Sequence, residues 1–416
     1  MKIFLETYGC TTNQVDSNIL KQQLSTHEFV SEKEADLILL NTCTVKGTTE
    51  SKILHRIKNT KKPLLVCGCM AQVQEKQIKN ANKKAHLLGI TNLESVSQAV
   101  DEIGTGKKAK YLERTEIDKA QLEHSKPNSI DFPISISDGC LGSCTFCITR
   151  LARGELKSFD PGAIISQAET AISSGYREIR ITAQDTGIYG TDIETDFPSL
   201  LSSLSSLPRE FRVRVGMMNP NGAKKILGPL IKAYQSEKIY KFLHIPVQSG
   251  SNKVLKEMNR PYTITDFKNI AARFRKAYPN LALATDIIVA YPTETEKDFE
   301  KTVQLLKDVK PDVINISRFA SRPGTEAAKL DKIPTEVAKE RSRKITALAD
   351  KISIKNNKKY VGKHDLILLT EKGKGGTVVG KASNYKSVVL DKGKLGLFYQ
   401  VKFTEAHSAY LKAVSV

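Results

Sequence analysis

The sequence has no apolar run of about 18 residues, the length that a helix needs to cross a bilayer. It also lacks the basic stretch followed by an apolar one that marks a signal peptide, because "MKIFLETYGC" already has the pattern of a strand. We therefore expect an intracellular, cytoplasmic protein with no membrane anchor. In that compartment an odd total of seven cysteines favours metal ligands over disulfides.

Acidic residues are in deficit, with 45 Asp+Glu against 64 Lys+Arg and a net charge of +19. Residues 1–105 hold 13 basic and 11 acidic residues, whereas residues 357–416 hold 11 Lys, 4 acidic residues and no Arg. A basic surface of this size favours a polyanionic partner, most simply nucleic acid. The alternative is a surface that only keeps the protein soluble.

A fourth metal ligand is missing from the stretch "DGCLGSCTFC", in which Cys140, Cys144 and Cys147 form C-x3-C-x2-C. Structural zinc sites close with four protein ligands, and iron–sulfur clusters are normally held by four cysteines. The nearest histidine, His124, lies too far upstream to complete a local site. The loop therefore predicts a metal site with one open position.

Three further cysteines each follow a predicted strand in the first segment. The apolar runs "KIFLETYG", "ADLILLNT" and "PLLVCG" alternate with helical patterns, which predicts a parallel α/β sheet. Cys10, Cys43 and Cys69 would then lie at the carboxyl edge of this sheet, where ligands gather. The alternative is three buried cysteines that pack as small apolar groups. We interpret Cys69, at the turn, as a ligand and Cys67, inside the strand, as a core residue.

The second segment follows a charged stretch, residues 106–130, that has the composition of a linker. Its predicted strands alternate with helical patterns and are "FPISIS", "EIRITA", "RVRVG", "KFLHIPV", "LALATDIIVAYP" and "VINISRF". One helix is expected to bury Leu200, Leu201, Leu204 and Leu207. This order predicts a partial parallel barrel with the three-cysteine loop at the carboxyl end of its first strand, where active sites of barrels lie.

The third segment, from about Tyr360, consists of short β-type runs separated by Gly and Lys. That pattern predicts a small antiparallel barrel of the oligonucleotide-binding kind. We expect its lysines to contact phosphates and its aromatic residues to offer stacking faces. These aromatic residues are Tyr360, Tyr385, Phe398 and Tyr399.

The cysteine loop resembles that of the radical S-adenosylmethionine (SAM) enzymes. The stretches "TYGCTTNQVDS", "NTCTV", "GCMAQ" and "GCLGSCTFCITRLARGELKS" are similar to the methylthiotransferases, and the lysine-rich end resembles their TRAM barrel. The stretches "QDTGIYG", "GMMNP", "LHIPVQSGS" and "RPGTEAA" resemble most the archaeal and eukaryotic branch of that family. That branch modifies threonylcarbamoyl-adenosine next to the anticodon of tRNA.

The resemblance implies an α/β protein with an amino-terminal parallel domain (1–107), a radical SAM partial (β/α)6 barrel (126–356) and a TRAM barrel (357–416). It implies two 4Fe–4S clusters. Cys140, Cys144 and Cys147 would hold one cluster, whose free iron chelates SAM for reductive cleavage to a 5′-deoxyadenosyl radical. Cys10, Cys43 and Cys69 would hold the other, which carries the sulfur to be inserted. The implied partners are tRNA, a low-potential electron donor and a sulfur donor, and we expect a monomer.

Six polar residues at predicted strand ends are candidates for binding SAM or the nucleobase: Gln184, Asn219, His244, Gln248, Asp286 and Arg318. The alternative is that some of them satisfy backbone groups of the barrel. The sequence departs from the family at "AYPTET", where "GFPGET" is usual, and we expect Thr293 to tighten this loop near SAM. No catalytic triad or carboxylate pair is recognisable, and radical chemistry requires none.

Other functions stay open at this point. The same chemistry would serve isopentenyl-adenosine in tRNA or a side chain of a ribosomal protein. A different class, a non-catalytic RNA-binding protein with structural metal, also fits the charge and the cysteines.

Overall fold

The amino-terminal domain is a parallel sheet covered by helices on both faces. A computed structural model of the protein describes residues 1–44 and 47–416. The elements of this domain are β1 (Lys2–Thr7), α1 (Thr11–Gln23), β2 (Glu28–Phe29), β3 (Leu37–Thr42), α2 (Gly47–Asn59), β4 (Leu64–Gly68), α3 (Cys69–Val73), α4 (Glu75–Ala81), β5 (His86–Leu88), α5 (Val96–Gly104) and β6 (Lys110–Tyr111). Every strand pair is parallel, in the order β2-β1-β3-β4-β5-β6.

Alternation along β3 shows how this sheet is buried. Leu37 and Leu39 pack with residues of α1 and α5 on one face, whereas Ile38 and Leu40 pack with residues of α2 and α4 on the other. Strands buried on both faces have continuous apolar sequences, as "LILL" does here. The prediction of a parallel α/β domain is confirmed.

The charged stretch 106–130 is not a free linker, so that expectation is wrong. Its residues Lys110 and Tyr111 form β6 of the first sheet, and Ile117, Lys119 and Ala120 are buried. Its polar composition was misleading because Lys119 enters the protein interior with carboxylate partners. The sheet also extends past residue 107, the predicted boundary of the domain.

The central domain carries six parallel strands of a partial barrel. Its elements are β7 (Asp131–Ser135), β8 (Ser137–Asp138), α6 (Ile148–Arg153), β9 (Lys157–Ser158), α7 (Pro161–Ser173), β10 (Glu178–Thr182), α8 (Phe197–Ser206), β11 (Arg212–Arg214), α9 (Pro220–Lys225), α10 (Leu227–Ala233), β12 (Phe242–His244), α11 (Asn252–Glu257), α12 (Ile264–Ala277), β13 (Ala282–Val289), α13 (Glu296–Val309), β14 (Val313–Arg318) and α14 (Thr335–Lys358). The strands form two sheets, β11-β10-β7 and β12-β13-β14, with a single parallel bridge between Val213 and Ile239 at their junction.

Each strand of the central domain has an outer face under the helices and an inner face on the opposite side. Ile179 and Ile181 of β10 and Val213 of β11 belong to the large core shared with the helices. The expected leucine face lies on α8, where Leu200, Leu201 and Leu204 are buried and Leu207 follows the last turn. The intervening residues of the strands therefore point to the inner face, and barrel enzymes bind substrate where the strands end, at their carboxyl termini.

The carboxyl-terminal domain is a closed five-stranded barrel. Its strands are β15 (His364–Lys372), β16 (Val378–Lys381), β17 (Ser387–Leu390), β18 (Phe398–Ala406) and β19 (Leu411–Ser415), in the order β15-β16-β17-β19-β18. The barrel is confirmed, but it is not wholly antiparallel, because β17 and β19 pair in parallel. Within residues 1–44 and 47–416, no helix combines the length and apolar character required to cross a bilayer.

The loop between β16 and β17 joins this barrel to the amino-terminal ends of the central strands. Lys386 Nζ lies 2.7 Å from Asp312 Oδ1, and both side chains are nearly buried. Asn384 Nδ2 donates to the carbonyl of Asn280 at 3.0 Å. The Tyr385 ring packs 4.9 Å from that of Tyr240, between centroids. The barrel therefore closes the end of the central domain opposite to the cysteine loop.

Candidate active site

The three amino-terminal thiols lie at the carboxyl ends of neighbouring strands. Cys10 follows β1, Cys43 follows β3, and Cys69 begins α3 directly after β4; these strands are adjacent in the sheet. The loop at Gly9 has a φ of +121°, and a Cβ there would lie only 2.8 Å from the Cβ of Cys43. Glycine thus allows the loop that carries Cys10 to pass close to Cys43.

The surroundings of Cys69 show that these thiols share one site. Burial raises the pKa of the Cys69 thiol to about 12; Arg153 opposes the rise, and Cys43 and Cys10 add to it. The thiols are therefore close enough to influence one another's charge. Since metals bind the thiolate, loading this site would release protons, and Arg153 supplies a compensating positive charge.

Cys67 and Cys69 point in different directions, although only Gly68 separates them. Cys67 is fully buried among leucines of the sheet, and its Sγ lies 3.4 Å from the carbonyl of Leu40. Gly68 has a φ of +89°, and a Cβ there would meet Asn41 Oδ1 at 2.4 Å. The chain turns at this glycine, so Cys69 leaves the strand and joins Cys10 and Cys43. This placement is the one expected of a ligand at position 69 and a core residue at position 67.

The radical SAM-like loop folds back on itself around two glycines. A Cβ on Gly142 would lie 3.4 Å from Cys140 Sγ and 3.8 Å from Cys144 Sγ, so these two thiols flank the same backbone position. The amide of Gly142 donates to Cys140 Sγ at 3.2 Å, and the amide of Cys147 donates to the carbonyl of Cys144 at 3.0 Å. Gly139 passes so close to the end of α6 that a Cβ would overlap the carbonyl of Glu155. Burial raises the pKa of the Cys140 thiol to about 11.

A segment far along the chain, residues 257–262, holds this loop from the other side. Arg260 Nη1 lies 3.2 Å from Cys144 Sγ. Asn259 Nδ2 donates to Ser143 Oγ at 2.8 Å, and the amide of Thr145 donates to the carbonyl of Met258 at 3.2 Å. Sequence reasoning missed this segment, because the Arg260–Cys144 contact spans 116 positions and has no local pattern.

A buried ion-pair ring of Asp16, Lys119, Asp138 and Arg153 connects the two sets of thiols. Lys119 Nζ lies 2.7 Å from Asp16 Oδ1 and 2.6 Å from Asp138 Oδ2. Arg153 lies 2.6 Å from each of the same two carboxylates. None of the four side chains is more than 10% exposed. Two positive and two negative groups make the ring neutral, which is the condition for burying charges.

The members of the ring come from the segments that carry the cysteines. Asp16 is on α1, which begins directly after Cys10, and Asp138 and Arg153 bracket the radical loop. Burial alone would raise the pKa of Asp138, but Lys119 and Arg153 hold it below its usual value. The ring therefore fixes α1 and the radical loop against each other. Sequence reasoning missed it, since its four members are spread over three segments.

The polar candidates on the inner face fall into two contact groups. In the first, Asn219 Nδ2 donates to Asp185 Oδ2 at 2.7 Å, and the neighbouring Gln184 has a buried Oε1 with no described partner. Burial raises the pKa of Asp185 to about 6, although the amides of Asn219 and Gly187 oppose the rise. Asn219 Oδ1 is likewise buried without a described partner. Sequence reasoning missed Asp185, which lies at the centre of this group.

The second group is built around Asp286. Its Oδ1 lies 2.9 Å from His244 Nε2 and accepts from Asn315 Nδ2 at 2.8 Å. Gln248, at a φ of +67°, donates its amide to the carbonyl of Asp286 at 2.8 Å. Arg318 is not part of either group. Residues alternate along β14, so Arg318 faces away from Asn315 and lines a surface cleft with residues 336–343 of α14.

Thr293, where the sequence departs from the usual glycine, has a defined contact. Its Oγ1 bonds to the Glu257 carboxylate, at the start of the segment that holds the radical loop. The preceding Ala290 has a φ of +59° and donates its amide to Glu294 at 2.7 Å. At position 293 the loop is therefore tied by a side-chain contact that a glycine could not make.

A basic cleft opens beside the radical loop. It has a volume of about 440 Å³ and lies between residues 91–117 and residues 150–157. Arg114, Arg150 and Lys157 line it, and Arg114 Nη2 donates to the carbonyls at the end of α6, 2.7 Å from that of Leu151. Asp138 and Glu155 line the cleft as well, so its net charge is positive but its cations are partly paired.

The donor atoms that the two cysteine sites offer are thiol sulfurs. Among residues 1–44 and 47–416, no three His, Cys, Asp or Glu side chains are spaced to share one metal ion. A 4Fe–4S cluster needs a wider arrangement, because each thiolate binds a different iron. All seven cysteines are free, and an all-sulfur donor set is the one that iron–sulfur clusters use.

Comparison with known families divides the chain into three matched parts. Residues 2–89 match the family described as "Uncharacterized protein family UPF0004", residues 134–306 match the Radical SAM superfamily, and residues 358–416 match the TRAM domain. Membership of the radical SAM superfamily implies SAM and a 4Fe–4S cluster as cofactors.

Relatives of known name match over the full chain. The chain is 44% identical to the "Probable threonylcarbamoyladenosine tRNA methylthiotransferase" of Archaeoglobus fulgidus, over 99% of this chain and 98% of the relative. The chain belongs to the threonylcarbamoyladenosine tRNA methylthiotransferase family. The Pyrococcus horikoshii member is 41% identical over 99% of this chain and 98% of its own length. The human member is 32% identical over 100% of this chain and 74% of its own length.

Solved structures of lower similarity share the fold. The radical S-adenosylmethionine methyltransferase TsrM from Kitasatospora setae, with tryptophan substrate and a SAM analogue bound, superposes with a TM-score of 0.57 at 11% identity. The match covers 79% of this chain and 75% of TsrM. The α/β architecture predicted from the sequence is thereby confirmed.

Proposed function

We propose that this methylthiotransferase family member inserts a methylthio group into N6-threonylcarbamoyladenosine, next to the anticodon of tRNA. The observation that carries the proposal is the pair of three-thiol sites on either side of the buried ion-pair ring. Relatives that are named for this reaction, at up to 44% identity over nearly the full chain, support the substrate. We expect the other domain boundaries to lie near residues 126 and 357, and the first, predicted at 107, to lie after Tyr111 at the end of β6.

Each three-thiol site would hold one 4Fe–4S cluster with one iron left open. Cys140, Cys144 and Cys147 would bind the cluster that chelates SAM, and Cys10, Cys43 and Cys69 would bind a second cluster that carries sulfur. When bound, these groups supply the radical and the sulfur that the reaction requires, while the protein supplies position and exclusion of water. The reaction also needs a low-potential electron donor and a sulfur donor, and we expect the enzyme to act as a monomer.

The chain's own residues position these groups. Arg260 keeps a positive charge against the Cys144 sulfur, and the 257–262 segment fixes the shape of the radical loop. The unpartnered acceptors Gln184 Oε1 and Asn219 Oδ1 lie at strand carboxyl ends, where they are suited to accept hydrogen bonds from bound SAM. Asp286 holds His244 on the inner face, within the space through which the base must enter.

The tRNA backbone would lie along two cationic surfaces. One is the basic cleft beside the radical loop. The other is the exposed side of the TRAM barrel, whose exposed lysines are Lys363, Lys372, Lys374, Lys392, Lys394, Lys402 and Lys412. Lysines contact phosphates as point charges and give affinity without reading bases.

The proposed stacking role of the TRAM aromatic residues needs correction. Tyr385 packs 5.3 Å from Phe242 and donates to Glu178 Oε1 at 3.3 Å, so it is occupied inside the chain. Arg212 covers Phe398 at 4.6 Å from its centroid. These rings were expected to face RNA, but they join the barrel to the central domain instead.

Mass spectrometry of tRNA nucleosides tests the function. The reconstituted enzyme, given SAM, a reductant and a sulfur source, should convert N6-threonylcarbamoyladenosine to its methylthio form. The Cys140→Ala and Cys69→Ala variants should both fail, but only the latter should still cleave SAM. Conversion of isopentenyl-adenosine or of a ribosomal protein instead would contradict the proposal, as would stoichiometric zinc in place of iron.

The role of the TRAM lysines has its own test. Changing Lys392 and Lys394 to Ala should make the slope of log affinity for tRNA against log salt shallower, by roughly 0.7 to 0.9 for each phosphate that the variant no longer neutralises. Point variants are preferable to removing residues 357–416, because that removal would also take Tyr385 from the central domain. An unchanged slope would show that these lysines do not touch the RNA backbone.

A further inference from the structure

Two arginines lie side by side on the inner face of the central sheet. Arg180 of β10 and Arg214 of β11 are direct partners in the parallel ladder. Their neighbours Ile179, Ile181 and Val213 pack under the helices, so both arginines point to the opposite, inner side. These two cations lie outside the cysteine sites and outside both groups of polar candidates.

Arg214 has no acidic partner in the part of the chain that the structure describes. Its guanidinium lies over aromatic rings, 5.5 Å from the centroid of Phe242 and 5.8 Å from that of Tyr385. Arg214 is half-buried, in contrast to its fully buried neighbour Val213. A planar guanidinium that rests on aromatic rings keeps its edge donors available for a carboxylate.

Arg180 has partners, but they leave one donor unused. Its Nη1 lies 3.0 Å from Asp131 Oδ2, and its Nη2 donates to Thr11 Oγ1 at 2.9 Å. Its Nε is buried without a described partner. Because Thr11 directly follows Cys10, this contact shows that the pair of arginines lies next to the amino-terminal thiol site.

Two carboxylates lie in the layer below, Asp131 and its register partner Glu178, and both are engaged, Asp131 by Arg180. Glu178 accepts from the hydroxyls of Tyr240 at 3.0 Å and Tyr385 at 3.3 Å. Burial is the main cause that raises the pKa of Glu178. The floor of the inner space therefore consists of aromatic rings and a capped acid, with the arginines above it.

We propose that Arg214, with the Nε of Arg180, binds the carboxylate of the threonylcarbamoyl group on the substrate base. This inference rests on the proposed function. A carbonyl joins the nitrogen of the threonine unit to N6, so the threonine carboxylate is free and negative. The isopentenyl group of the alternative substrate is a hydrocarbon and carries no such anion. The arginine pair thus selects the substrate: it attracts the acid and is left without a partner by the hydrocarbon.

Equilibrium binding to the anaerobically reconstituted, full-length enzyme tests the assignment without relying on turnover. The probes are anticodon stem–loop RNAs that carry threonylcarbamoyladenosine, the same group with a threoninamide in place of the acid, or adenosine. Arg214→Met removes the cation and Arg214→Lys retains the charge without the bidentate edge. Arg212→Met is the matched control, because it removes the same charge from the same strand but lies over Phe398.

The wild-type enzyme should bind the acid more tightly than the amide by roughly ten- to hundredfold, the range for a hydrogen bond to a charged group. Arg214→Met should lose most of this preference, Arg214→Lys should retain part of it, and Arg212→Met should keep it. Equal binding of acid and amide by the wild type, or a full preference in Arg214→Met, would overturn the inference.

The wild-type comparison does not depend on any variant folding, so the inference stays testable if Arg214→Met is unstable. Its failure is also distinguishable from that of the proposed function. A wild-type enzyme that methylthiolates the threonylcarbamoyl RNA yet binds acid and amide equally overturns only the role of Arg214. A wild-type enzyme that does not modify this RNA overturns the proposed function itself.

Discussion

Replacing Lys119 by Met should be the most informative change to the buried ion-pair ring. The variant leaves Asp16 and Asp138 with Arg153 alone, so one negative charge is buried without compensation. Breaking a buried pair in this way costs about 3–5 kcal/mol. For a folding unit of a few hundred residues, each kcal/mol corresponds to about 2–4 °C in Tm, so we expect a fall of roughly 6–20 °C.

The matched control is an exposed ion pair between similar segments. Lys157 lies 3.7 Å from Glu116, with side chains 43% and 99% exposed, and it too joins the 106–130 stretch to the region after α6. Solvent screens such a pair, so Lys157→Met should change Tm very little. Both variants remove one positive charge, so the difference between their Tm values measures the effect of leaving a buried carboxylate unpaired.

A double variant tests directly whether the ring must be electrically neutral for the protein to be stable. Asp16→Asn combined with Lys119→Met leaves the Arg153–Asp138 pair, which is neutral on its own. It should therefore be more stable than Lys119→Met alone, although it lacks one more native group. The sequence contains no tryptophan, so calorimetry or circular dichroism of the unloaded protein is the suitable measurement.

The ring should also matter for coupling the two thiol sites. Lys119→Met should still cleave SAM at the temperature where it is folded, but it should form less methylthio product per SAM cleaved, since α1 and the radical loop are no longer fixed against each other. If Lys119→Met is as mild as Lys157→Met in Tm and matches the wild type in product ratio, the ring does not have the role assigned to it.

Three further changes test separate parts of the site. Burial would raise the pKa of Asp298, but hydrogen bonds from Ser251 and Thr295 lower it to about 2. The ionised carboxylate therefore stabilises the fold above about pH 4, and this stabilisation is lost as the pH falls through 2. The Tm difference between wild type and Asp298→Asn should accordingly shrink on acidification, and a constant difference would contradict this. Ala290→Gly should preserve or raise Tm by up to a few degrees, because Ala290 adopts a φ of +59° that glycine adopts without strain; a clear loss would contradict it. Arg260→Met should lower the reduction potential of the radical cluster in an EPR titration, since the cation beside Cys144 favours the more negative reduced state, whereas Arg260→Lys should move it less.

Local patterns were sufficient to predict the fold and the grouping of the thiols. Apolar runs such as "LILL" identified strands buried on both faces, and parallel strands bring their carboxyl ends to one edge, which placed Cys10, Cys43 and Cys69 together. The turn at Gly68 was visible in the sequence as well, and it directs Cys67 and Cys69 to different environments.

Contacts between distant segments had no signature of this kind. Lys119 was assigned to a linker because a lysine among charged residues is usually solvated, and only the fold reveals its two carboxylate partners. Arg260 contacts Cys144 across 116 positions, and Arg318 is the last residue of a strand whose alternation turns it outward. Tyr385 was expected to face RNA, but its loop docks onto another domain.

Iron and sulfide content per chain tests the central claim, two separate cluster sites of three thiols each, most directly. After anaerobic reconstitution the wild type should hold about eight iron and about eight sulfide per chain, and Cys69→Ala should hold about four of each. Cys67→Ala should match the wild type, because its thiol lies in the apolar core. About four iron in the wild type, or the loss of one cluster from Cys67→Ala but not from Cys69→Ala, would contradict the account.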